Sequence, residues 1–155
     1  MFKIITNPNP ILRKKSQPIK DVLDVELQKM LPEMVETMIK KDGVGLAAPQ
    51  IGKNIRLVTV RFKNNNLILF NPIIVKKSLL KEWDEEGCLS VPGVFGDVKR
   101  HKKIAIKYLD QNNLEQQLKA EGLLARIIQH EIDHLDGILF IDKAKNLRKF
   151  DEATN

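Results

Sequence analysis

The sequence predicts an α+β fold, a single domain in which antiparallel or mixed β-sheets accompany a buried helix. Three observations carry that expectation. An amphipathic, methionine-rich helix stands near the start, and β-branched runs broken by turn residues fill the middle. A second, mostly apolar helix near the end carries His130-Glu131-Ile132-Asp133-His134. Helix, strands, helix in that order is an α+β pattern. The 155 residues suffice for one domain with a sizeable core, so 1–155 is read as one unit.

The elements follow in chain order. Asn7-Pro8-Asn9-Pro10 punctuates the start, and a short segment runs from Ile11 to Lys15. Asp24 is the expected N-cap of a helix reaching Lys40, since Leu27, Met30, Leu31, Met34, Val35 and Met38 recur at helical spacing. The methionines are core filling. Asp42-Gly43 ends the helix, and GVGLAAPQIG is expected as a loop. Strands are expected over Ile55–Val60, Leu67–Phe70 and Ile73–Lys77, with a hairpin turn at Asn64-Asn65-Asn66. Glu85 to Gly93 reads as extended and then turning. Val98 to Leu109 reads as one long strand, turned by Asp110-Gln111-Asn112-Asn113 into Leu114–Leu118.

The second helix spans Gly122 to Leu135, with Gly137 as its C′ residue. Leu123, Leu124, Ala125, Ile127, Ile128, Ile132 and Leu135 clothe most of its faces, which predicts a buried helix. Residues 143–155 read as a basic, then polar, tail.

Composition narrows the function classes. At 43% hydrophobic and 30% charged, the chain is ordinary for a globular protein. No apolar run nears the roughly 20 residues that span a bilayer, and no secretory signal is visible, so no membrane partner is expected. A cytosolic location is the expectation; an organellar protein stripped of its transit segment would read the same. Net charge is +6, with clusters at Arg13-Lys14-Lys15 and Lys99-Arg100-His101-Lys102-Lys103. Scattered lysines of this kind suit a solvated surface, or a weak attraction to a polyanion such as the ribosome. Aromatics are only 5% and no nucleic-acid-reading motif occurs, so specific base readout is not expected.

The chemistry lies in the second helix. Histidines four apart share one helical face, and both rings can reach one ion. Glu131, beside the first, is placed to take a proton from a water. Two histidines, a glutamate and an aspartate within five residues of an apolar helix would cost several kcal/mol if left unsatisfied. A cation satisfies both histidines at once.

A third ligand must come from elsewhere. In the pattern H-E-x-x-H-x-x-G-x-x-H the last position here is Phe140, which binds no metal, and downstream of it only Glu152 offers a carboxylate of the kind a glutamate-ligated zinc protease needs. Upstream candidates are Cys88, His101 and several acids. Cys88 is the strongest, because a metal deprotonates a thiol and Gly87 beside it permits close approach. As the chain's one cysteine it has no internal disulfide partner. Gly43-Val44-Gly45-Leu46-Ala47-Ala48-Pro49-Gln50 satisfies G-x-G-x-x-A, but a helix precedes it and Pro49 would break the helix that must follow, so nucleotide binding is rejected.

Taken together, GVGLAAPQIG, EEGCLSVPG and QHEIDHLDGILFID, in that order and spacing, resemble the peptide deformylase family. The flanks ILRKKSQPI and FNPIIV are also similar, so the resemblance covers nearly the whole chain. It implies an α+β deformylase-like domain with sheets enclosing the metal helix. It also implies a metal-dependent hydrolase that removes the N-formyl group from the formylmethionine of nascent polypeptides and releases formate. One divalent ion is implied, commonly Fe²⁺, with Zn²⁺, Ni²⁺ or Co²⁺ able to substitute.

Carried residue by residue, the resemblance makes Cys88, His130 and His134 the ligands and Glu131 the general base and then acid. Gln50 and the Leu89 N–H become oxyanion stabilisers. Gly45 and Gly87 offer backbone to the substrate, and Val44, Leu123 and Ile127 wall the methionine pocket. Glu86 and Arg100 form a supporting ion pair. Arg126, four residues before His130, stands where the resemblance implies an apolar residue, and it is expected to snorkel to the pocket mouth. The rivals from other classes are a zincin-type protease and a non-catalytic binding module with a structural metal.

Overall fold

The structure, a computed structural model, describes residues 1–150. Glu152, the end of the tail and the last five residues of the expected domain lie outside the described residues. A short 3-10 helix, Pro10–Arg13, occupies the Ile11 region. Helix α1 spans Val25–Lys40, and the Asp24 carboxylate accepts from the Leu27 N–H at 2.9 Å, capping it as its position predicts. Leu31, Met34 and Met38 are buried on one face. Pro32 lies inside the helix but on its exposed side, where water can meet the carbonyl left unbonded.

The expected GVGLAAPQIG loop is more ordered than its glycines suggest. It contains strand β1, Gly45–Ala47, followed by a 3-10 turn, Ala48–Ile51. Strand β2 is Leu57–Phe62 and β3 is Asn65–Lys77. Their register pairs Phe62 with Asn65, so the turn falls on Lys63-Asn64, one residue earlier than the asparagine run predicts, with Lys63 at φ 56°. The two runs expected over 67–70 and 73–77 are one strand interrupted by a register shift between Phe70 and Ile73. There Asn71 turns out of the ladder and bonds both backbone groups of Ile19, at 2.8 Å each.

Strands β4, Lys81–Cys88, and β5, Val91–His101, form a hairpin around Leu89-Ser90. The long strand expected over 98–109 is instead β5 and β6, Lys103–Leu109, in different sheets. The chain crosses at Lys102, whose N–H donates to the Leu80 carbonyl and whose own carbonyl accepts from Gly122. The crossing falls inside the charged run 99–103, a break in hydropathy that the reading of 98–109 as one strand passes over. Strand β7 is Glu115–Glu121, helix α2 is Gly122–Leu135, and β8, Lys145–Lys149, is a strand where a tail is expected.

A five-stranded antiparallel sheet runs β1-β2-β3-β6-β7, and a three-stranded antiparallel sheet runs β4-β5-β8. Alternation along β2 sends Leu57 toward α1 and Val58 and Val60 toward α2. The large sheet is therefore covered by a helix on each face. One core joins Leu31, Met34 and Met38 to Leu46, Leu57 and Phe70; the other joins Ala125, Ile128, Ile132 and Leu135 to Val58, Val60, Leu69 and Ile106. Each fully buried Leu, Ile or Val contributes roughly 1.5–3 kcal/mol. A third cluster, Leu12, Val91, Val98, Leu139 and Phe140, seals the small sheet. Among the described residues no helix is long and apolar enough to cross a membrane.

Candidate metal centre

Helix α2 ends where Gly137, at φ +74°, turns the chain; a Cβ there would meet the Arg13 carbonyl at 2.5 Å. Its motif face is buried, as the apolar wrapping predicts: His130, Glu131 and His134 are all under one-tenth exposed. The small sheet brings the end of β4 over this face. The candidate ligand atoms of Cys88, His130 and His134 lie within 4.8 Å of one another, and Cys88 Sγ stands 3.3 Å from His134 Nε2. His101, the other histidine considered, points elsewhere: its Nδ1 lies 2.6 Å from the Ser78 carbonyl.

The donor set fits one divalent ion. His130 Nδ1 lies 2.8 Å from Glu86 Oε1. An ionised carboxylate only accepts, so Nδ1 carries a hydrogen and Nε2, on losing its own proton, would offer its lone pair to a metal. Among the described residues, buried His134 Nδ1 and Glu131 Oε2 have no hydrogen-bond partner. Unsatisfied polar atoms of this kind at the cluster mark a place built for a further group. A thiolate with two imidazoles suits a transition metal rather than calcium or magnesium.

Electrostatics separates the two histidines. Burial opposes charge on His130, but hydrogen bonds to Cys88 and Glu86 outweigh it and raise the ring to about 10. Burial, then the neighbouring charge on His130, pushes His134 well below its usual value. Burial raises Glu131 to about 7. Burial also opposes charge on Glu86, yet hydrogen bonds from Arg100 and His130 hold it well below the carboxylate range.

Glu86 is the hub behind the cluster. Arg100 grips it bidentately, Nε to Oε2 and Nη2 to Oε1, both at 2.9 Å, and Arg126 Nη1 donates to Oε2 at 2.7 Å. Arg100 continues to Asp133, and Lys143 lies 2.9 Å from that same aspartate. The expectation that Arg126 snorkels to the pocket mouth is corrected here. Its guanidinium is buried, turned back to Glu86 and to the carbonyls of Val98 and Glu82. A buried carboxylate already carrying one arginine and a histidine still has lone-pair capacity, and that outcompetes the open rim.

A cavity of about 450 Å³ opens in front of the cluster. Gly45, Gln50, Glu86, Gly87, Cys88, Leu89, His130 and Glu131 line it, as do Val44, Leu123, Arg126 and Ile127. His134 and Arg100 stand behind this lining. Val44 and Leu123 are 49% and 67% exposed, an apolar lip over Ile127. Gly45 presses against the acid: a Cβ there would lie 2.6 Å from Glu131 Oε1. Gln50 is buried, its Oε1 accepting from the Ala47 N–H at 2.9 Å and its Nε2 reaching Cys88 Sγ at 3.5 Å and Ser90 Oγ at 3.1 Å.

Ser90, Asp133, Lys143 and Phe95, whose ring lines the cavity against Gly87, are the participants that sequence reasoning leaves without a role. Ser90 and Asp133 sit inside the motifs that carry the resemblance, which is the signal for them. Phe95 and Lys143 have no local signal, because strand pairing and the turn after α2 bring them in.

The polypeptide deformylase model matches residues 1–150. The chain belongs to the polypeptide deformylase family. A peptide deformylase from Syntrophomonas wolfei is 49% identical over 148 residues, 96% of this chain and 96% of that one. One from Pelotomaculum thermopropionicum is 46% identical, over 96% and 95%. Among solved structures, the peptide deformylase from Thermotoga maritima superposes with a TM-score of 0.90 at 39% identity, covering 94% of this chain and 98% of its own. That from Synechococcus elongatus, solved in complex with actinonin, also gives 0.90 at 41% identity, covering 94% and 79%. The chain is thus an enzyme of the deformylase family, an amide hydrolase whose Cys88, His130 and His134 are placed for metal binding. The α+β expectation agrees with these neighbours.

Proposed function

We propose that this deformylase removes the formyl group from the N-terminal formylmethionine of nascent polypeptides and releases formate. The observation that carries the reading is the convergence of Cys88, His130 and His134 at one end of a cavity that Glu131 and Gln50 also line. Cys88 Sγ and one nitrogen of each histidine would hold one divalent ion, which when bound acidifies a water and polarises the formyl carbonyl.

The chain's own residues supply the rest. Glu131 accepts a proton from water as the water oxygen bonds to the formyl carbon. Buried and raised to about 7, it is poised to exchange protons near neutrality. The formyl oxygen gains negative charge and is met by the Leu89 N–H and the Gln50 amide. Glu131 then gives its proton to the departing nitrogen, the C–N bond breaks, and formate and a free amine leave. The methionine side chain packs against Val44, Leu123 and Ile127. The following residues run extended, pairing with backbone at Gly45 and Gly87, so sequence preference beyond methionine is weak.

The same reading assigns Fe²⁺ as the native ion, with Zn²⁺, Ni²⁺ or Co²⁺ taken up under other conditions, and the cytoplasm as the location. Nascent chains place the enzyme near the ribosome, and the +6 net charge supports a weak, salt-sensitive association with that polyanion. The deciding experiment measures formate from a formylmethionyl tripeptide, with elemental analysis of anaerobically purified protein. Wild type should release formate, and Glu131→Ala should keep its metal and lose about 10²–10⁴ in rate. Internal cleavage of unformylated peptides, or no formate from metal-loaded wild type, would overturn the proposal.

A further inference from the structure

Gln50 has a carboxamide with two hydrogens and one carbonyl, and a planar amide can flip. In this fold it cannot. Its carbonyl oxygen accepts from the Ala47 N–H, a group that only donates, so the amide has one possible orientation. One side of Nε2 is then held by Ser90 Oγ at 3.1 Å. The other hydrogen is left for the cavity side, where Cys88 Sγ stands at a long 3.5 Å. Ser90 itself is fully buried.

The same two-residue turn thus serves both groups assigned to the formyl oxygen. Leu89, its first residue, offers its N–H; Ser90, its second, anchors the amide of the other. The backbone of the pair is tied as well. In the amino-terminal segment the Ile5 N–H donates to the Gln50 carbonyl and the Asn7 N–H to the Ser90 carbonyl, both at 2.8 Å. Two segments forty residues apart in sequence are therefore clasped by one crossing strand of chain.

We infer that Ser90 is a positioning residue: its hydroxyl occupies one Gln50 hydrogen so that the other points at the developing oxyanion. This rests on the deformylation reading above. Ser90 touches neither substrate nor metal; it acts through Gln50. Without it the amide has a spare hydrogen and can tilt toward the cysteine sulfur, and a donor off its line is a weaker one.

The test is a double-mutant cycle on metal-loaded enzyme with a formylmethionyl tripeptide. Ser90→Ala should lower kcat about tenfold with KM nearly unchanged, less than the roughly 10²–10³ expected for Gln50→Ala. The double variant should be no worse than Gln50→Ala alone, because the serine has nothing left to position. A merely structural serine would give multiplicative losses, and that result, or a wild-type kcat in Ser90→Ala, overturns the inference. If Ser90→Ala does not fold with its metal, Ser90→Gly completes the same cycle. Wild type inactive on the tripeptide would sink the deformylation reading and this inference together; active wild type with multiplicative losses sinks this inference alone.

Discussion

Arg126 Nη1 donates to Glu86 Oε2 at 2.7 Å, with both side chains under one-tenth exposed. That contact puts a second guanidinium on a carboxylate that Arg100 already grips from the other side. Arg126 therefore supports the metal helix from behind, although its position in the sequence suggests a role at the pocket mouth. Arg126→Met should lower stability by about 1–3 kcal/mol, because Glu86 keeps Arg100 while the Val98 and Glu82 carbonyls lose their donor. Preference among formylated first residues should change little. Thermal unfolding and a peptide panel check both; a sharp change in side-chain preference at unchanged stability would contradict the arrangement.

Glu86→Gln keeps the shape but removes the charge. Two arginines and the Nδ1–H of His130 would then face a neutral amide that offers one carbonyl. We expect metal affinity to fall about 10–100-fold, as when the hydrogen-bond partner of a ligand is lost. A competition titration with a chelator measures this, and wild-type affinity in the variant would remove Glu86 from its supporting role.

Cys88→Ser and His134→Ala should each lose most bound metal while keeping the fold, because the cores around α2 do not depend on either side chain. Metal analysis with far-UV circular dichroism separates the two effects. Full stoichiometric metal in either variant would exclude that residue as a ligand. In wild type, chelation should lower the midpoint of thermal unfolding, since an ion held by the native state alone stabilises it by about 2.7 kcal/mol at a hundredfold excess over Kd.

A pH effect that does not involve the candidate ligands follows from Asp142. Arg13 holds it at 2.6 and 3.1 Å and the Leu139 N–H donates to it, which lowers its pKa from 3.8, with Arg13 the main cause. A carboxylate with a depressed folded value stabilises the native state above its unfolded pKa, and that contribution is lost as pH falls through the folded one. Asp142→Asn should therefore lower the stability plateau above about pH 4 and flatten the fall below it, so that the two proteins converge in acid. Parallel acid slopes for variant and wild type would count against it.

Much of this molecule is readable before it folds, and the reason is local. Helix α1 begins at its Asp24 cap and α2 ends at Gly137, because caps and periodicity are short-range properties. The candidate metal cluster is legible because His130 and His134 need only helical spacing to meet, and because the pattern around Cys88 singles it out as the residue to join them. What is not legible depends on distance. Which sheet each half of the 98–109 segment joins is decided by distant partners, although the charged run 99–103 marks the break between the halves locally. Strand β8 is polar because it is an edge partner of β5, so its own residues carry no alternation to read. Arg126 is misread because helical spacing gives its face but not the carboxylate waiting there.

The missing side chain at position 45 has a consequence for how this enzyme can vary. With Glu131 Oε1 2.6 Å from where any β-carbon would be placed, even a methyl group would collide with the proposed general base. A saturation library at this codon should return glycine almost alone under selection for growth, while the neighbouring Val44, half open to solvent, should accept many replacements. Adjacent positions would thus drift at very different rates, one frozen by lack of room and the other free to retune the lip of the pocket.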